Sequence, residues 1–593
     1  MFRQTDNRRY IPALDGLRAI AVMTVIAYHF HLGFAKGGFL GVDVFFVLSG
    51  YLITSMILPE KGETLQLNFA AFWTGRLRRL LPAAFVMITA TFVWVMFFDR
   101  ELMGTLRGDA VSSLFYVSNW WYIFNDLSYF DQFGSPSPFK NLWSLAIEEQ
   151  FYIIWPILLA AGLFVFKKRL KLAAAIAGLA VCSAVLMAVL FQDGTDPSRV
   201  YYGTDTRAFE LLAGCVLALV WPMKRLSSGR VPIGHKVSLN VISFAAFGIL
   251  LACFHFVTEY QPFLYRGGMF LICLNAAVLI GAVSHPVSYL GKILSFKPLP
   301  WIGTRSYGIY LWHYPVIVLG TPVHEIGNPV YWRVGLQLLL ILVIAELSYR
   351  LIEVPVRREG FRGFIKLTWT DFSLSRKAAS LVVSVLFVFF AAGALGIVEG
   401  EKKEMHSSPK QVKISDKQEK SQNDNSSEKE EPKAEDPSDK EVLAIGDSVM
   451  IDIASNLQEE YPGITIDAEI GRQMRQAVSL APEYDEYNEQ NKAVVIHLGT
   501  NGYFPENQLQ ELLDSFSEAD VYLVNTRVPK EWESSVNRLL QEKAEQNENV
   551  TLIDWYSESI DHPEYFGDDG VHLGKTGAEA LTDLIAESVN KEK

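Results

Sequence analysis

Three patterns of apolar and polar residues follow one another along this chain. Over residues 1–398 the apolar positions come in runs of roughly 20 residues, the length a helix needs to span a bilayer. The runs lie at 11–32 and near 38–58, 81–99, 141–166, 172–192, 207–223, 237–257, 266–286, 299–320, 332–352 and 378–398. They predict a multi-span α-helical membrane domain with about eleven transmembrane helices. Residues 399–440 have no aromatic side chain and few large apolar ones. Such a stretch cannot bury a core, so it is expected to be a disordered charged linker with an end-to-end span of roughly 35 Å. Across 441–593, short runs rich in β-branched residues (VLAIG, AVVIHLG, ADVYLVN, NVTLID) alternate with helical stretches. That alternation predicts an α/β domain built on a parallel sheet.

Charge gives the pattern a direction. The net charge is −12 over 593 residues, with the acidic residues crowded into the C-terminal third. Basic clusters punctuate the apolar runs, and no nucleic-acid partner is expected. Arg76, Arg78 and Arg79 follow the second run, and Lys167, Lys168, Arg169 and Lys171 follow the fourth. Lys224, Arg225 and Arg230 follow the sixth, and Arg350, Arg357, Arg358 and Arg362 follow the tenth. All of them fall on the side of the N-terminus, which the positive-inside rule makes cytoplasmic. An odd count of spans then leaves the C-terminal domain extracellular. The first apolar run lacks a small-residue cleavage site and reads as a retained anchor. The four cysteines all lie in apolar runs, so neither a disulfide framework nor a cysteine metal site is expected.

The C-terminal region carries candidate chemistry. Residues 442–449, VLAIGDSV, read as a buried strand that delivers Ser448 at a strand-to-helix turn. There, helix N-terminal N–H groups can meet a developing oxyanion. A lone GDS is more often an ordinary turn. Three further blocks accompany it: Glu469-Ile470-Gly471-Arg472, a second strand ending in Gly499-Thr500-Asn501-Gly502, and Asp568-Asp569-Gly570-Val571-His572. The spacing Asp569-x-x-His572 lets a carboxylate orient an imidazole that takes the serine proton. In this order the blocks resemble the SGNH-hydrolase (GDSL-like) family over about 440–593. The resemblance implies a three-layer α/β fold and Ser448 as nucleophile. It also implies Gly471 N–H and the Asn501 amide as oxyanion donors, with Asp569 and His572 completing the triad. Val449 stands where that family has Leu, which leaves the chemistry intact.

Ionisable residues within a span are costly and usually mark function. The first run holds Asp15, Arg18 and His29, and the second holds Asp43 and Ser49. Glu148 and Glu149 open the fourth, and Asp205 and Arg207 open the sixth. Arg305, Ser306, Tyr307, Tyr310 and His313 lie in the ninth, and the tenth closes with Glu346, Arg350 and Glu353. Each has a plain alternative. Asp15 and Arg18 can form an interhelical ion pair, His313 can belong to an aromatic belt, and Glu353 can pair with Arg350 or Arg357. As a set, Arg-x10-His (Arg18, His29), GVDVFFVLSGYLI, SLAIEEQFY and RSYGIYLWHYP resemble the integral-membrane acyltransferase-3 family over about 8–360. The resemblance implies transfer from a cytoplasmic acyl-CoA, usually acetyl-CoA, toward an acceptor outside. His29 is then the central base or acyl-handling residue. Arg18, Arg76, Arg78 and Arg79 are candidates for the CoA phosphates, since guanidinium forks suit phosphate oxygens. For the arginine cluster, plain positive-inside topology is the simpler explanation. Ser306, Tyr307 and Tyr310 are candidates for the outward path. No metal and no permanently bound cofactor are expected.

The fusion of the two halves resembles the two-part peptidoglycan O-acetyltransferases of Gram-positive bacteria. That resemblance implies a multi-pass cell-membrane enzyme that passes acetyl through a serine ester to the muramic-acid C6 hydroxyl and so blocks lysozyme. The same chemistry on a teichoic acid or exported polysaccharide stays open, as does an acetyl esterase. A transporter or sensor with an extracellular binding domain fits less well, because the set Ser448, Asp569 and His572 is complete.

Overall fold

The computed structural model describes residues 10–58, 68–98, 102–125, 127, 129, 137–192, 197–223, 226, 231–259, 261–321, 329–360, 411–414, 440–502, 504, 506–528, 532–567 and 570–591. The chain divides into an N-terminal helical unit and a C-terminal unit that takes in Lys402–Lys593.

The helical unit runs in order through α1 (Pro12–His29), α2 (Gly41–Ile57), α3 (Phe69–Phe98), α4 (Met103–Leu114), α5 (Ser118–Phe124), α6 (Leu142–Val165) and α7 (Arg169–Leu190). It continues through α8 (Ser198–Tyr202), α9 (Thr204–Val220), α10 (Ile233–Phe256), α11 (Met269–Ser284), α12 (Tyr289–Leu294), α13 (Pro298–Gly320) and α14 (Tyr331–Ser348). Among the described residues, 7 helices are long and apolar enough to cross a membrane, against the eleven expected. The expected run at 378–398 lies outside the described residues. Three other expected spans form α1, α9 and α13, which are shorter or less apolar, because they carry the polar side chains discussed below. One boundary also moves. The α3 helix starts at Phe69 and contains Pro82, so Arg76, Arg78 and Arg79 lie inside a helix and not in a loop before it.

Backbone contact sets the spacing of the functional helices. A Cβ at Gly303 of α13 would lie 1.8 Å from the Asp15 carbonyl oxygen of α1, so only glycine permits that approach. The α2–α9 crossing is equally close: a Cβ at Gly50 would sit 1.9 Å from Leu211 O, and one at Gly214 2.0 Å from Val47 O.

The C-terminal unit is a 6-stranded sheet in the order β1-β3-β2-β4-β5-β6. The strands are β1 (Gln411–Ile414), β2 (Glu441–Gly446), β3 (Thr465–Glu469), β4 (Lys492–His497), β5 (Asp520–Val524) and β6 (Val550–Ile553). From β2 to β6 the pairing is parallel, and β1 joins the β3 edge antiparallel. Both faces are covered: Val442, Ala444, Val495 and Val524 are buried on one side, and Leu443, Ile445, Val494 and Leu523 on the other. That is why these strands read as continuous apolar runs. Chain order reverses at β2, whose neighbours are β3 and β4, and ligand sites in such sheets lie at the carboxyl ends beside that point. Four residues of the expected disordered linker are thus a strand: Gln411-Val412-Lys413-Ile414 has the alternation of an edge strand. The rest of that segment, apart from Lys440, lies outside the described residues.

Candidate active site

Ser448 is the first residue of the Ser448–Glu460 helix, directly after β2. Asp447 caps the helix: its Oδ1 accepts from Val449 N–H at 3.1 Å, and its Oδ2 accepts from Thr500 Oγ1. The Val449 N–H is therefore already engaged. Asn501 Nδ2 donates to Thr500 Oγ1 at 3.2 Å, which joins the expected oxyanion amide through Thr500 to the turn that carries Ser448. Register explains the meeting, since Gly446 stands opposite Ala468 of β3 and His497 of β4. The segments carrying Gly471 and Asn501 therefore leave the same sheet edge as Ser448.

Gly471 has φ +78°, in the left-handed region where a side chain would be strained. The next residue, Arg472, is buried and pairs with the Asp467 carboxylate at 2.5 Å and the Glu469 carboxylate at 3.8 Å. It also donates to the Asp467 carbonyl, while Tyr484 Oη donates to Asp467 Oδ2 at 2.6 Å. Gln473 Nε2 donates to Asn501 O at 3.0 Å and Gly471 O at 3.5 Å, clamping the Gly471 and Asn501 segments together. His572 lies on a turn closed by Gly567 N–H to its carbonyl, at 2.7 Å. The following N–H, of Leu573, donates to Asp452 Oδ2 at 2.9 Å, one turn along the helix that Ser448 begins. Asp569 lies outside the described residues. Beneath the site, His497 is buried, with Nδ1 3.9 Å from Asp447 Oδ1. Burial pushes its pKa below the ordinary histidine value. Thr500, His497, Gln473 and Asp452 had not been singled out as site residues.

In the helical unit a cavity of about 450 Å³ gathers Asp15, Arg18, Arg76, Arg79, Glu148, Ser306, Tyr307 and Tyr310. Arg357, which reads only as a flanking charge in the sequence, also lines it. Arg18 bonds Asp15 at 3.1 Å on its own helix, so this is an intrahelical pair and not the interhelical one that the sequence allows. Glu148 accepts from Ser49 Oγ and from Tyr152 Oη, the latter at 3.0 Å, and the Arg76 guanidinium lies 5.3 Å from the Tyr152 ring centre. Four guanidiniums against two carboxylates make the cavity suited to an anionic ligand. Tyr310 ties it to a histidine pair: its Oη is 2.7 Å from Ser144 Oγ, and its carbonyl is 2.6 Å from His313 Nδ1. His313 Nε2 lies 3.1 Å from His29 Nδ1, and His29 Nε2 lies 3.1 Å from Tyr129 Oη. His313 is fully buried, so it is a core residue and not part of an interfacial belt.

Other expected residues lie elsewhere. Arg78 lies against Gly360, and Glu149 is buried off the cavity wall. Asp205 pairs with Arg199 at 2.9 Å. Asp43 and Arg207 are buried together at 3.5 Å, and Glu210 completes the cluster 2.8 Å from Arg207. Glu346 pairs with Arg305 and Arg350. Glu353 is buried with its Oε1 beside Gly308.

Residues 11–348 match the acyltransferase domain family. YrhL of Bacillus subtilis (strain 168) is 54% identical, covering 99% of this chain and 100% of its own length. The peptidoglycan O-acetyltransferase OatA of Listeria monocytogenes serovar 1/2a is 48% identical, covering 99% of each. The solved C-terminal catalytic domain of Streptococcus pneumoniae peptidoglycan O-acetyltransferase A, with a methylsulfonyl adduct, aligns with 25% of this chain and 92% of its own. That alignment has 26% identity and a TM-score of 0.23.

Proposed function

The chain belongs to the acyltransferase-3 family and is an O-acetyltransferase, and from that premise we propose that it acetylates a muramic-acid C6 hydroxyl of peptidoglycan with acetyl drawn from cytoplasmic acetyl-CoA. The observation that carries this reading is the arginine-lined cavity that adjoins the His29–His313 pair through Tyr310. Arg18, Arg76, Arg79 and Arg357 hold the CoA phosphates, and the thioester reaches His29, which takes the proton of the acceptor hydroxyl that attacks the acetyl carbonyl and returns it to the departing CoA thiolate. The C-terminal unit then works outside the cell. Ser448 Oγ attacks the acetyl carbonyl, its proton passes to His572, and Asp569 orients that imidazole. Gly471 N–H and Asn501 Nδ2 meet the oxyanion, and collapse leaves an acetyl-serine as the oxygen that carried the acetyl departs with the proton from His572. The glycan hydroxyl attacks that ester while His572 takes its proton, which regenerates Ser448. Acetylated wall resists lysozyme because the modified hydroxyl borders the bond that lysozyme cleaves.

The test uses the Lys402–Lys593 fragment with an activated acetyl ester and a muroglycan acceptor, with products followed by mass. Acetylated muroglycan that disappears with Ser448→Ala is the expected result. Acetate alone, with the glycan unchanged, would make the unit an esterase or point to another acceptor polymer.

A further inference from the structure

The hydrogen bonds around His29 fix which of its nitrogens is basic. His313 Nδ1 lies 2.6 Å from the Tyr310 carbonyl oxygen, which can only accept. His313 therefore carries its proton on Nδ1, and in the neutral ring Nε2 is a lone pair. That lone pair faces His29 Nδ1 at 3.1 Å, so His29 Nδ1 must carry the N–H between them. His29 Nε2 is then the unprotonated nitrogen, and Tyr129 Oη, 3.1 Å away, donates to it. The anchor of this chain is itself pinned: Asn141 Nδ2 also donates to the Tyr310 carbonyl, at 2.9 Å, and the Tyr310 hydroxyl donates to Asn141 O at 3.0 Å. Edge-on contacts with Tyr28 at 5.3 Å and Tyr314 at 4.9 Å hold the His29 ring in its plane.

We infer that His313 is a positioning residue for His29: as a hydrogen-bond acceptor it holds His29 in the Nδ1–H tautomer and leaves Nε2 as the base. This rests on the reading of His29 as the acyl-handling histidine. A neutral imidazole does here what a carboxylate does behind the histidine of a serine-protease triad. It fixes the tautomer without placing a negative charge in a buried site, where an uncompensated charge is costly. His313 does not touch the substrate in this assignment, and its effect travels through His29.

The experiment uses the full chain in lipid nanodiscs, with acetyl-CoA as donor and muroglycan as acceptor, and separates kcat from KM for acetyl-CoA. His313→Phe keeps the ring volume and removes the acceptor. It should lower kcat by up to ~10⁴-fold, the loss seen when a triad histidine loses its tautomer-fixing partner, and leave KM unchanged. His313→Gln, whose Oε1 can accept from His29 Nδ1–H, should recover part of that loss. His313→Asn, too short to reach His29, should not. Equal rates for Gln and Asn, or a wild-type rate for Phe, would overturn the assignment while leaving His29 in place. A wild-type rate for His29→Ala would instead remove the reading on which it rests. If His313→Phe fails to fold, the Gln and Asn pair still decides.

Discussion

Asp447 stands next to the proposed nucleophile, yet its carboxylate serves the turn, with one oxygen on Val449 N–H and the other on Thr500. His497 sits under this cap, and burial lowers its pKa more than the nearby Asp447 raises it. The folded state therefore resists protonation that the unfolded chain accepts. Above the ordinary histidine pKa of about 6.5, both states are neutral and His497 is silent. As pH falls below that value only the unfolded state takes the proton, and stability is lost by up to ~1.4 kcal/mol per pH unit. Denaturant midpoints of the Lys402–Lys593 fragment should fall between pH 7 and pH 5, and His497→Phe should flatten that dependence. An unchanged slope in the variant would place the titration elsewhere. Ser448, Gly471, Asn501 and His572 were legible as candidates because each sits in a short motif. Thr500, Gln473 and Asp452 were not. Thr500 and Gln473 act across strands, and Asp452 reaches a turn far along the chain.

Among the elements, the α1–α13 pair matters most, since it brings Asp15, Arg18 and His29 against Ser306, Tyr310 and His313. Gly303→Ala forces a Cβ into the Asp15 carbonyl, and overpacking of this kind costs about 1–3 kcal/mol. The variant should melt earlier in detergent and lose acetyl transfer. Gly178→Ala on α7 meets no atom within 4 Å and should be neutral or slightly stabilising, which makes it the control. If the two variants behaved alike, the close approach would not be what sets the helix spacing. The apolar runs of β2, β4, β5 and β6 were readable in the sequence, but β3 was not. Its Asp467 and Glu469 look like loop residues until Arg472 folds back to pair with both. The start of α3 was hidden for a related reason: its first turns carry Arg76, Arg78 and Arg79, and Pro82 resembles a helix start.

At the scale of the whole molecule, the edge strand β1 changes where the C-terminal unit begins. A fragment covering only 440–593 leaves β3 as an unpaired edge, which invites strand addition by another chain. Lys402–Lys593 should be monomeric by light scattering where the shorter fragment associates and unfolds at lower denaturant. Equal behaviour of the two would make β1 dispensable.

The tie from Leu573 N–H to Asp452 has a consequence in time. The ribosome makes Ser448 early in this unit and reaches the His572 turn, with the Lys575–Val589 helix that packs on the serine's own helix, more than 120 residues later. Until His572 has emerged, a chain working by the proposed mechanism carries a serine with no proton acceptor in position. Under the proposed mechanism such a chain can neither take up acetyl nor lose it to water. Under that mechanism, synthesis of the His572 turn is the step that arms Ser448.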